Sequence, residues 1–239
     1  MIDHSFYCVQ TPLGSLDIHA PDAIAMGLRA TLNGVKVSAI SRGGVSSVLD
    51  VFCTHQGFSI SRPATGFHIE YSDYVDCLNE VLLQLAYELM RLLPGWHLLH
   101  CSAVQVEGVN LIAFGEKHAG KSVWAFEKLL TGGTLLADDL LAWNRELSQF
   151  ICLGQSTRLR RPVSLNVFDH LNENAFIPGK SLSYIKKTHI DIAACGYKFE
   201  PDYVVEIEPQ THQVKTLSMK DSYARLTKGC IPAELFYNR

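Results

Sequence analysis

The sequence contains no apolar run that approaches the roughly 20 residues needed to span a membrane. It also opens without the charged and then apolar residues that are typical of a secretory leader. Together these absences predict a soluble, cytoplasmic protein that has no membrane partner.

Basic residues are neither in excess nor clustered. The chain has 21 Lys and Arg against 24 Asp and Glu, which gives a net charge of −3. Its densest basic cluster, Arg158-Leu159-Arg160-Arg161, is too short for the positive surface that nucleic acids require. We therefore expect no nucleic-acid partner.

Cysteine pairs with metal-site or redox spacing are absent. The seven cysteines are odd in number and never spaced C-x-x-C: Cys8, Cys53, Cys77, Cys101, Cys152, Cys195 and Cys230. This pattern is typical of reduced, mostly buried thiols in a cytosolic protein.

The chain has 239 residues, of which 47% are hydrophobic, enough for one large domain or two small ones. Residues 1–93 predict a small α+β region with a short helix at 22–32 and a long one at 73–93. Its expected strands are 6–10, 16–19, 35–40, 48–53 and 67–71. No motif there implies catalysis, so substrate recognition and oligomerisation both remain open uses. Residues 94–239 form the second predicted domain.

A phosphate-binding motif dominates the second domain. The motif G-x-x-x-x-G-K-[ST] is matched by Gly115-Glu116-Lys117-His118-Ala119-Gly120-Lys121-Ser122. A buried strand pattern at 111–114 precedes it and a helical pattern at 122–130 follows, so the loop would place phosphates at a helix N-terminus. We assign these eight residues and Val123 to nucleotide binding.

An acidic pair follows the next apolar run. Residues 134–137 predict a second strand, and a right-handed crossover would make it parallel to the first. Asp138 and Asp139 would then lie at the same sheet edge as the loop, where Mg²⁺ on nucleotide phosphates needs an acidic partner. A solvated acidic turn is the alternative interpretation.

Further candidates flank this unit. Residues 96–108 predict a hairpin strand that places His100 near the loop, although a single histidine is more often structural than catalytic. Arg158 and Arg160 would share one strand face and could clamp phosphates, or they could form a solvated basic edge. Other expected elements are a hairpin at 140–153, a helix at 163–171, a polar loop at 172–187, strands at 203–207 and 214–217, and a helix at 220–227.

Three segments together resemble the catalytic domain of HPr kinase/phosphorylase and the HPr-kinase-related kinases, including those that tailor lasso-peptide precursors. The segments are His100-x-Ser102-Ala103-Val104, Phe114-Gly115-x4-Gly120-Lys121-Ser122 and Leu135-Leu136-Ala137-Asp138-Asp139. They occur in the family's order and spacing, and the similarity covers residues 96–239.

The resemblance implies an α/β protein with a P-loop kinase core of the HPr kinase and PEP carboxykinase type. It also implies a reaction in which ATP and Mg²⁺ phosphorylate a hydroxyl, above all a serine of a peptide or protein. Lys121 would hold the transferred phosphate and Ser122 would help to bind Mg²⁺. Asp138 resembles the general base, with His100 as its partner, and Asp139 resembles the carboxylate on the magnesium side.

The chain also departs from the family pattern. Glu116 to Ala119 replace a glycine-rich segment and stiffen the loop, while Lys117 and His118 could either reach a phosphate or face water. Val123 stands where the family has Glu, and no glycine-rich phosphorolysis signature is present. A non-catalytic nucleotide-binding regulator or assembly protein is the main alternative. A GTPase is a weaker alternative, because the sequence contains no N-K-x-D motif for guanine recognition.

Overall fold

The computed structural model describes residues 4–41, 46–161, 170–209, 211 and 213–231. Over these residues the protein is of mixed α/β type, with four α-helices and several β-sheets. No helix in the described ranges is both long enough and apolar enough to cross a membrane.

Six N-terminal strands form one sheet in the order β3-β1-β2-β4-β5-β6. They are β1 (His4–Thr11), β2 (Gly14–Pro21), β3 (Lys36–Ile40), β4 (Leu49–Thr54), β5 (Gly57–Arg62) and β6 (Phe67–Tyr71). Neighbouring strands are antiparallel except β2 and β4. The sequence predicts five of these strands and misses β5, because polar Ser59 and Arg62 are buried there and interrupt the apolar pattern.

Two helices accompany this sheet, α1 (Asp22–Thr31) and α2 (Tyr74–Arg91). Asp73 caps α2, since its carboxylate accepts hydrogen bonds from the N–H groups of Val75 and Asp76 at 2.9 and 3.2 Å. The apolar face of α2, which includes Leu78, Leu82 and Leu85, is buried in the core of this region. Both predicted helices are therefore confirmed.

A buried ion pair joins β5 to α2. The Arg62 guanidinium is 2% exposed and donates to the Glu88 carboxylate, which also accepts from the half-exposed Arg91 at 2.9 Å. We expect Arg62→Ala to lower the free energy of unfolding by about 3 to 5 kcal/mol, because it leaves Glu88 buried beside a single solvated partner. Urea unfolding followed by circular dichroism measures this loss.

Arg91→Ala is the matched control for that experiment. It removes the other partner of Glu88 but leaves the buried pair intact, so we expect a loss of no more than about 1 kcal/mol. Equal losses in the two variants would contradict the assignment of the larger energy to the buried pair.

Residues from 94 onwards supply the remaining described elements. In chain order these are β7 (Trp96–Leu99), β8 (Ser102–Val106), β9 (Val109–Gly115), α3 (Lys121–Leu130), β10 (Thr134–Asp138), β11 (Leu141–Asn144), β12 (Gln149–Ile151), β13 (Arg158–Arg160), β14 (Phe176–Pro178), β15 (Leu182–Ile185), β16 (Lys198–Phe199), β17 (Tyr203–Ile207), β18 (Val214–Thr216), α4 (Met219–Gly229) and β19 (Cys230–Ile231). Short 3₁₀ turns lie at Glu173–Ala175 and Lys187–His189.

Two five-stranded sheets form the centre of this part, in the orders β10-β8-β9-β17-β18 and β16-β12-β11-β7-β19. Apolar side chains of both sheets share one core, among them Phe114, Leu141 and Phe150. The other face of the first sheet packs against Trp124 and Ala125 of α3. The loop between β9 and α3 therefore lies at an edge of a layered structure.

The hairpin segment 96–108 differs from the expected single strand. β7 and β8 belong to different sheets, and the chain passes from one to the other at His100 and Cys101. Cys101 is fully buried at this crossing, and burial raises the pKa of its thiol. His100 is thereby placed at the sheet edge beside the acidic pair.

The segment 172–187 is structured rather than a polar loop. β14 and β15 form a hairpin that pairs with β13 in the order β13-β15-β14. The side chains of Phe176, Tyr184 and Ile185 are buried and pack this hairpin against its neighbours. The Lys, Ser and Gly residues between them hide this apolar pattern in the sequence. The helix expected at 163–171 lies largely outside the described residues.

The N-terminal core continues across residue 94. Leu98, Leu140, Ala142, Ile151 and Leu153 belong to the same buried cluster as the residues of α2 and the N-terminal sheet. α2 therefore packs directly against strands of the second predicted domain. Four of the seven cysteines are buried, and all seven are unpaired, as the sequence predicts.

Candidate functional site

The predicted phosphate loop, residues 115–122, connects the end of β9 to the start of α3. A side chain at Gly115 would lie 2.9 Å from both the Ala119 Cβ and the Ile207 carbonyl oxygen, so the loop closes tightly only with glycine. Gly120 precedes the helix with φ 96°, a left-handed conformation that suits glycine. No side chain caps α3, so its first N–H groups are available to an anion.

Lys121 lies inside this loop and is only 8% exposed. Its Nζ donates hydrogen bonds to the carbonyl oxygens of Gly115 and Glu116 at 3.0 and 3.2 Å. Burial lowers the pKa of Lys121 despite the opposing effect of the Asp139 and Asp138 carboxylates. An anionic ligand beside the buried ammonium would stabilise its charged form and so raise the pKa of Lys121 again.

The remaining loop residues point in different directions. Glu116, Lys117 and His118 are exposed, whereas Ala119 is buried against the sheet. His118 has φ 73°, an uncommon left-handed conformation for a residue with a side chain. Val123 is 43% exposed on the first turn of α3. Lys117 and His118 are therefore exposed and have room to contact a nucleotide.

The acidic pair lies at the same sheet edge as the loop. β8 is antiparallel to both β9 and β10, so β9 and β10 run in the same direction with β8 between them. Both strands therefore end at one edge, and the Ser122 Oγ lies 3.0 Å from Asp138 Oδ1. The predicted proximity of loop and acid is thus present, although the two strands are not direct neighbours.

Asp138 is buried and fully surrounded by donors. It is 2% exposed. Hydrogen bonds reach its Oδ1 from Ser102 Oγ at 2.6 Å and Ser122 Oγ at 3.0 Å, and its Oδ2 from Thr157 Oγ1 at 2.6 Å and Arg158 N at 3.1 Å. Four donors compensate for the cost of burying a carboxylate. They also hold it in one orientation beside Ser122.

Asp139 points the other way and is more accessible. A register shift between Leu135 and Ala137 precedes it, and its own φ is 74°, so the backbone turns sharply after β10. The Asp139 side chain is 32% exposed. Its Oδ1 lies 3.0 Å from His100 Nε2, and its Oδ2 lies 3.0 Å from Arg158 Nη2.

Opposing effects set the acidity of Asp139. Burial acts to raise the pKa of this carboxyl, but the His100 hydrogen bond and the Arg158 charge, with smaller effects of the His100 and Lys121 charges, outweigh it. The pKa of Asp139 is therefore lowered, and its charged form is favoured. Burial acts to lower the pKa of the Arg158 guanidinium, but Asp139, together with smaller effects of Tyr184, Asp138 and Asp76, raises it by more, so its charged form is favoured.

The pairing of His100 differs from the expected one. The family resemblance joins His100 to Asp138, whereas the imidazole contacts Asp139. The reason is the turn after β10, which buries Asp138 and exposes Asp139 on the side of His100. Of the two candidate arginines, Arg158 reaches this site and Arg160 is exposed to solvent.

Several contacts at the site have no sequence signal. The Thr157 hydroxyl donates a hydrogen bond to Asp138. Asn79 of α2 accepts hydrogen bonds from Arg158 and from Tyr184 of β15. Arg225 of α4 pairs with Glu206 at 3.0 Å, and its guanidinium lies 5.6 Å from the centre of the Phe114 ring. These residues are distant in sequence from the motifs, and only the tertiary structure brings them together.

Oxygen ligands at the loop are compatible with Mg²⁺. Within the described ranges, His, Cys, Asp and Glu side chains form no group of three or more that could hold a metal ion on its own. Mg²⁺ usually binds through one or two carboxylates together with substrate phosphates, so a preformed cluster is not required. Ser122 Oγ and the adjacent Asp138 carboxylate match that requirement.

Comparison with known proteins adds no identification. The chain matches no protein-family model and no curated protein. The expected resemblance to the HPr-kinase-related kinases therefore rests on the three motifs and their spacing alone. Function has to be inferred from the chemistry of the site itself.

Proposed function

We propose that this protein is a Mg²⁺-dependent kinase that transfers the γ-phosphate of ATP to a hydroxyl, most readily a serine of a peptide or protein. We further propose that residues 94–239 have the P-loop core of the HPr kinase and PEP carboxykinase type and that the protein acts in the cytoplasm. The acceptor class comes from the family resemblance, whereas the reaction type is supported by the site.

One observation carries the proposal. A phosphate loop and two carboxylates with different surroundings meet at one sheet edge, where Ser122 contacts Asp138 at 3.0 Å and Asp139 faces outwards. A protein that only binds a nucleotide needs the loop and the first carboxylate. An accessible second carboxylate, held by His100 and Arg158, is the additional group that a hydroxyl acceptor requires.

The phosphates would be bound by the loop. The N–H groups at the start of α3 and the Lys121 ammonium supply positive charge in a buried setting, where it is most effective. Ser122 and Asp138 would hold Mg²⁺, which neutralises phosphate charge during transfer. Phosphoryl transfer depends mainly on such positioning and charge neutralisation.

Asp139 would act as the general base. The acceptor hydroxyl oxygen forms the new bond to the γ-phosphorus, the bond from that phosphorus to the β-phosphate oxygen breaks, and ADP leaves. The hydroxyl proton passes to Asp139, which His100 and Arg158 hold in position. Asp138 is a poorer base candidate because it is 2% exposed and its carboxylate faces Ser122 of the loop.

This assignment exchanges the roles that the family resemblance implies for the two aspartates. The resemblance makes Asp138 the base and Asp139 the magnesium-side carboxylate. Contact with Ser122 favours Asp138 on the magnesium side, and accessibility together with the His100 contact favours Asp139 as the base. The two assignments predict different effects of neutralising each aspartate on transfer and on Mg·ATP binding.

Label transfer tests the proposed function. The wild-type protein would be incubated with Mg²⁺, γ-labelled ATP and serine-containing peptides or proteins encoded by neighbouring genes. We expect label on a serine of one acceptor and release of ADP. Tight ATP binding with neither label transfer nor ADP release would support the alternative, a nucleotide-binding regulator, and affinity for GTP equal to that for ATP would favour a GTPase.

Removal of the Ser122 hydroxyl tests the metal assignment. We expect Ser122→Ala to raise the Mg²⁺ concentration for half-maximal ADP release about 10- to 100-fold, because one ligand and one Asp138 contact are lost. Titration of Mg²⁺ at fixed ATP measures the effect. Ser122→Thr keeps the hydroxyl and should restore most of the wild-type response, and an unchanged midpoint in Ser122→Ala would refute the assignment.

A further inference from the structure

A polar side chain of α2 reaches the candidate site from the N-terminal region. Asn79 Oδ1 accepts a hydrogen bond from Arg158 Nη1 and another from the Tyr184 hydroxyl at 2.9 Å. Arginine can only donate, so the amide oxygen of Asn79 must face Arg158. Asn79 therefore connects α2 with β13 and β15, which are neighbouring strands of the three-stranded sheet.

Arg158 transmits this contact to the acidic pair. The guanidinium is planar and rigid, so fixing one of its terminal nitrogens also fixes the direction of the other. Nη1 is held by Asn79, and Nη2 lies 3.0 Å from Asp139 Oδ2. The Arg158 side chain is 20% exposed and would have more freedom without its contact to α2.

The amide group suits this position better than a carboxylate would. A neutral oxygen accepts from Arg158 without adding charge, so Asp139 remains the negatively charged partner in direct contact with the guanidinium. An Asp at position 79 could keep both hydrogen bonds but would compete with Asp139 for the same cation. The arrangement thus directs the charge of Arg158 towards Asp139.

We propose that Asn79 is a positioning residue that holds Arg158 so that Arg158 orients Asp139 towards the acceptor hydroxyl. The proposal rests on the kinase function proposed above. It also gives the N-terminal region a defined part in the reaction, because α2 belongs to the core of that region. Asn79, Asp139 and Arg158 line the same small crevice.

Kinetics of Asn79→Ala test this role. Two readouts are used, namely ADP release from Mg·ATP with water as acceptor, and label transfer from γ-labelled ATP to a serine-centred peptide library. We expect kcat to fall about 10- to 100-fold, because a misplaced catalytic group is costly. The KM for ATP should stay within about threefold, since the Asn79 side chain hydrogen-bonds to Arg158 and Tyr184 on the acceptor side of the site.

A double-mutant cycle separates positioning from a general loss of structure. If Asn79 acts through Arg158, the Asn79→Ala/Arg158→Ala variant should be no slower than Arg158→Ala alone. Gln84→Ala is the matched control, because Gln84 is buried in the same helix and donates to Glu80 within that helix rather than to Arg158. It should lower the melting temperature without changing kcat.

Asn79→Asp keeps the test informative if the alanine variant does not fold. This variant retains the acceptor oxygens, and we expect a folded protein with kcat reduced about tenfold by competition for Arg158. Wild-type kcat in a folded Asn79 variant, or additive losses in the cycle, would overturn this inference while leaving the kinase proposal in place. A wild-type protein that releases no ADP and transfers no label would overturn both.

Discussion

Asp139→Asn is expected to reduce the rate of phosphoryl transfer about 10²- to 10⁴-fold, the range in which a general base contributes. The amide retains the shape of the side chain but cannot accept the hydroxyl proton. Affinity for Mg·ATP should stay within about threefold, because Asp139 points away from Ser122 and towards His100 and Arg158. Single-turnover label transfer and nucleotide titration measure the two quantities separately.

The neighbouring substitution Asp138→Asn should behave differently. Asp138 accepts from Ser122, so its neutralisation should weaken the binding of Mg·ATP as well as slow the transfer. Glu127→Gln, at an exposed position on α3, controls for the loss of a nearby negative charge. If Asp138→Asn abolished transfer with intact Mg·ATP affinity while Asp139→Asn weakened binding, the roles implied by the family resemblance would be the correct ones.

Lys121→Ala should have the second large effect, on transfer and on nucleotide affinity together. The ammonium is buried within the loop and would contact the phosphates both before and during transfer. We expect kcat to fall about 10²- to 10³-fold, as for the removal of one preorganised donor in other enzymes. The affinity for ATP, measured by titration calorimetry, should fall as well.

Lys128→Ala provides the matched control for this variant. Lys128 lies near the end of α3, away from the loop, and its loss removes the same charge from the same helix. We expect nearly wild-type transfer and binding. Label transfer by Lys121→Ala at the wild-type rate would exclude the phosphate loop from the reaction, and with it the proposed kinase function.

The phosphate-loop unit could be predicted almost completely from the sequence. Strand, glycine loop, helix and second strand are all local patterns, set by apolar periodicity and by the positions of Gly115 and Gly120. The strands of the N-terminal region, except β5, and the long helix α2 are predictable for the same reason. Polar residues that are buried by pairing, such as Arg62 in β5, concealed the strand that carries them.

The partners within the site could not be predicted in the same way. His100 and Asp139 are 39 positions apart in the sequence. His100 is positioned by the passage of the chain from one sheet to another, and Asp139 is positioned by the sharp turn after β10. The sequence pattern of residues 172–187 predicts a loop, whereas β14 and β15 form a hairpin whose Tyr184 contacts Asn79 beside Arg158. The predicted division at residue 93 gave no indication that α2 contacts the site.

The sequence alone determined which chemical groups are present: a phosphate loop with its lysine and serine, an acidic pair after a buried strand, and a nearby histidine and arginine. Tertiary structure decided which carboxylate faces Ser122, which one faces His100, and that Asn79 of the N-terminal region holds Arg158. The physical reason is that backbone periodicity is encoded over a few neighbouring residues. The direction of a side chain at the end of a strand depends instead on turns, burial and partners that come from distant parts of the chain.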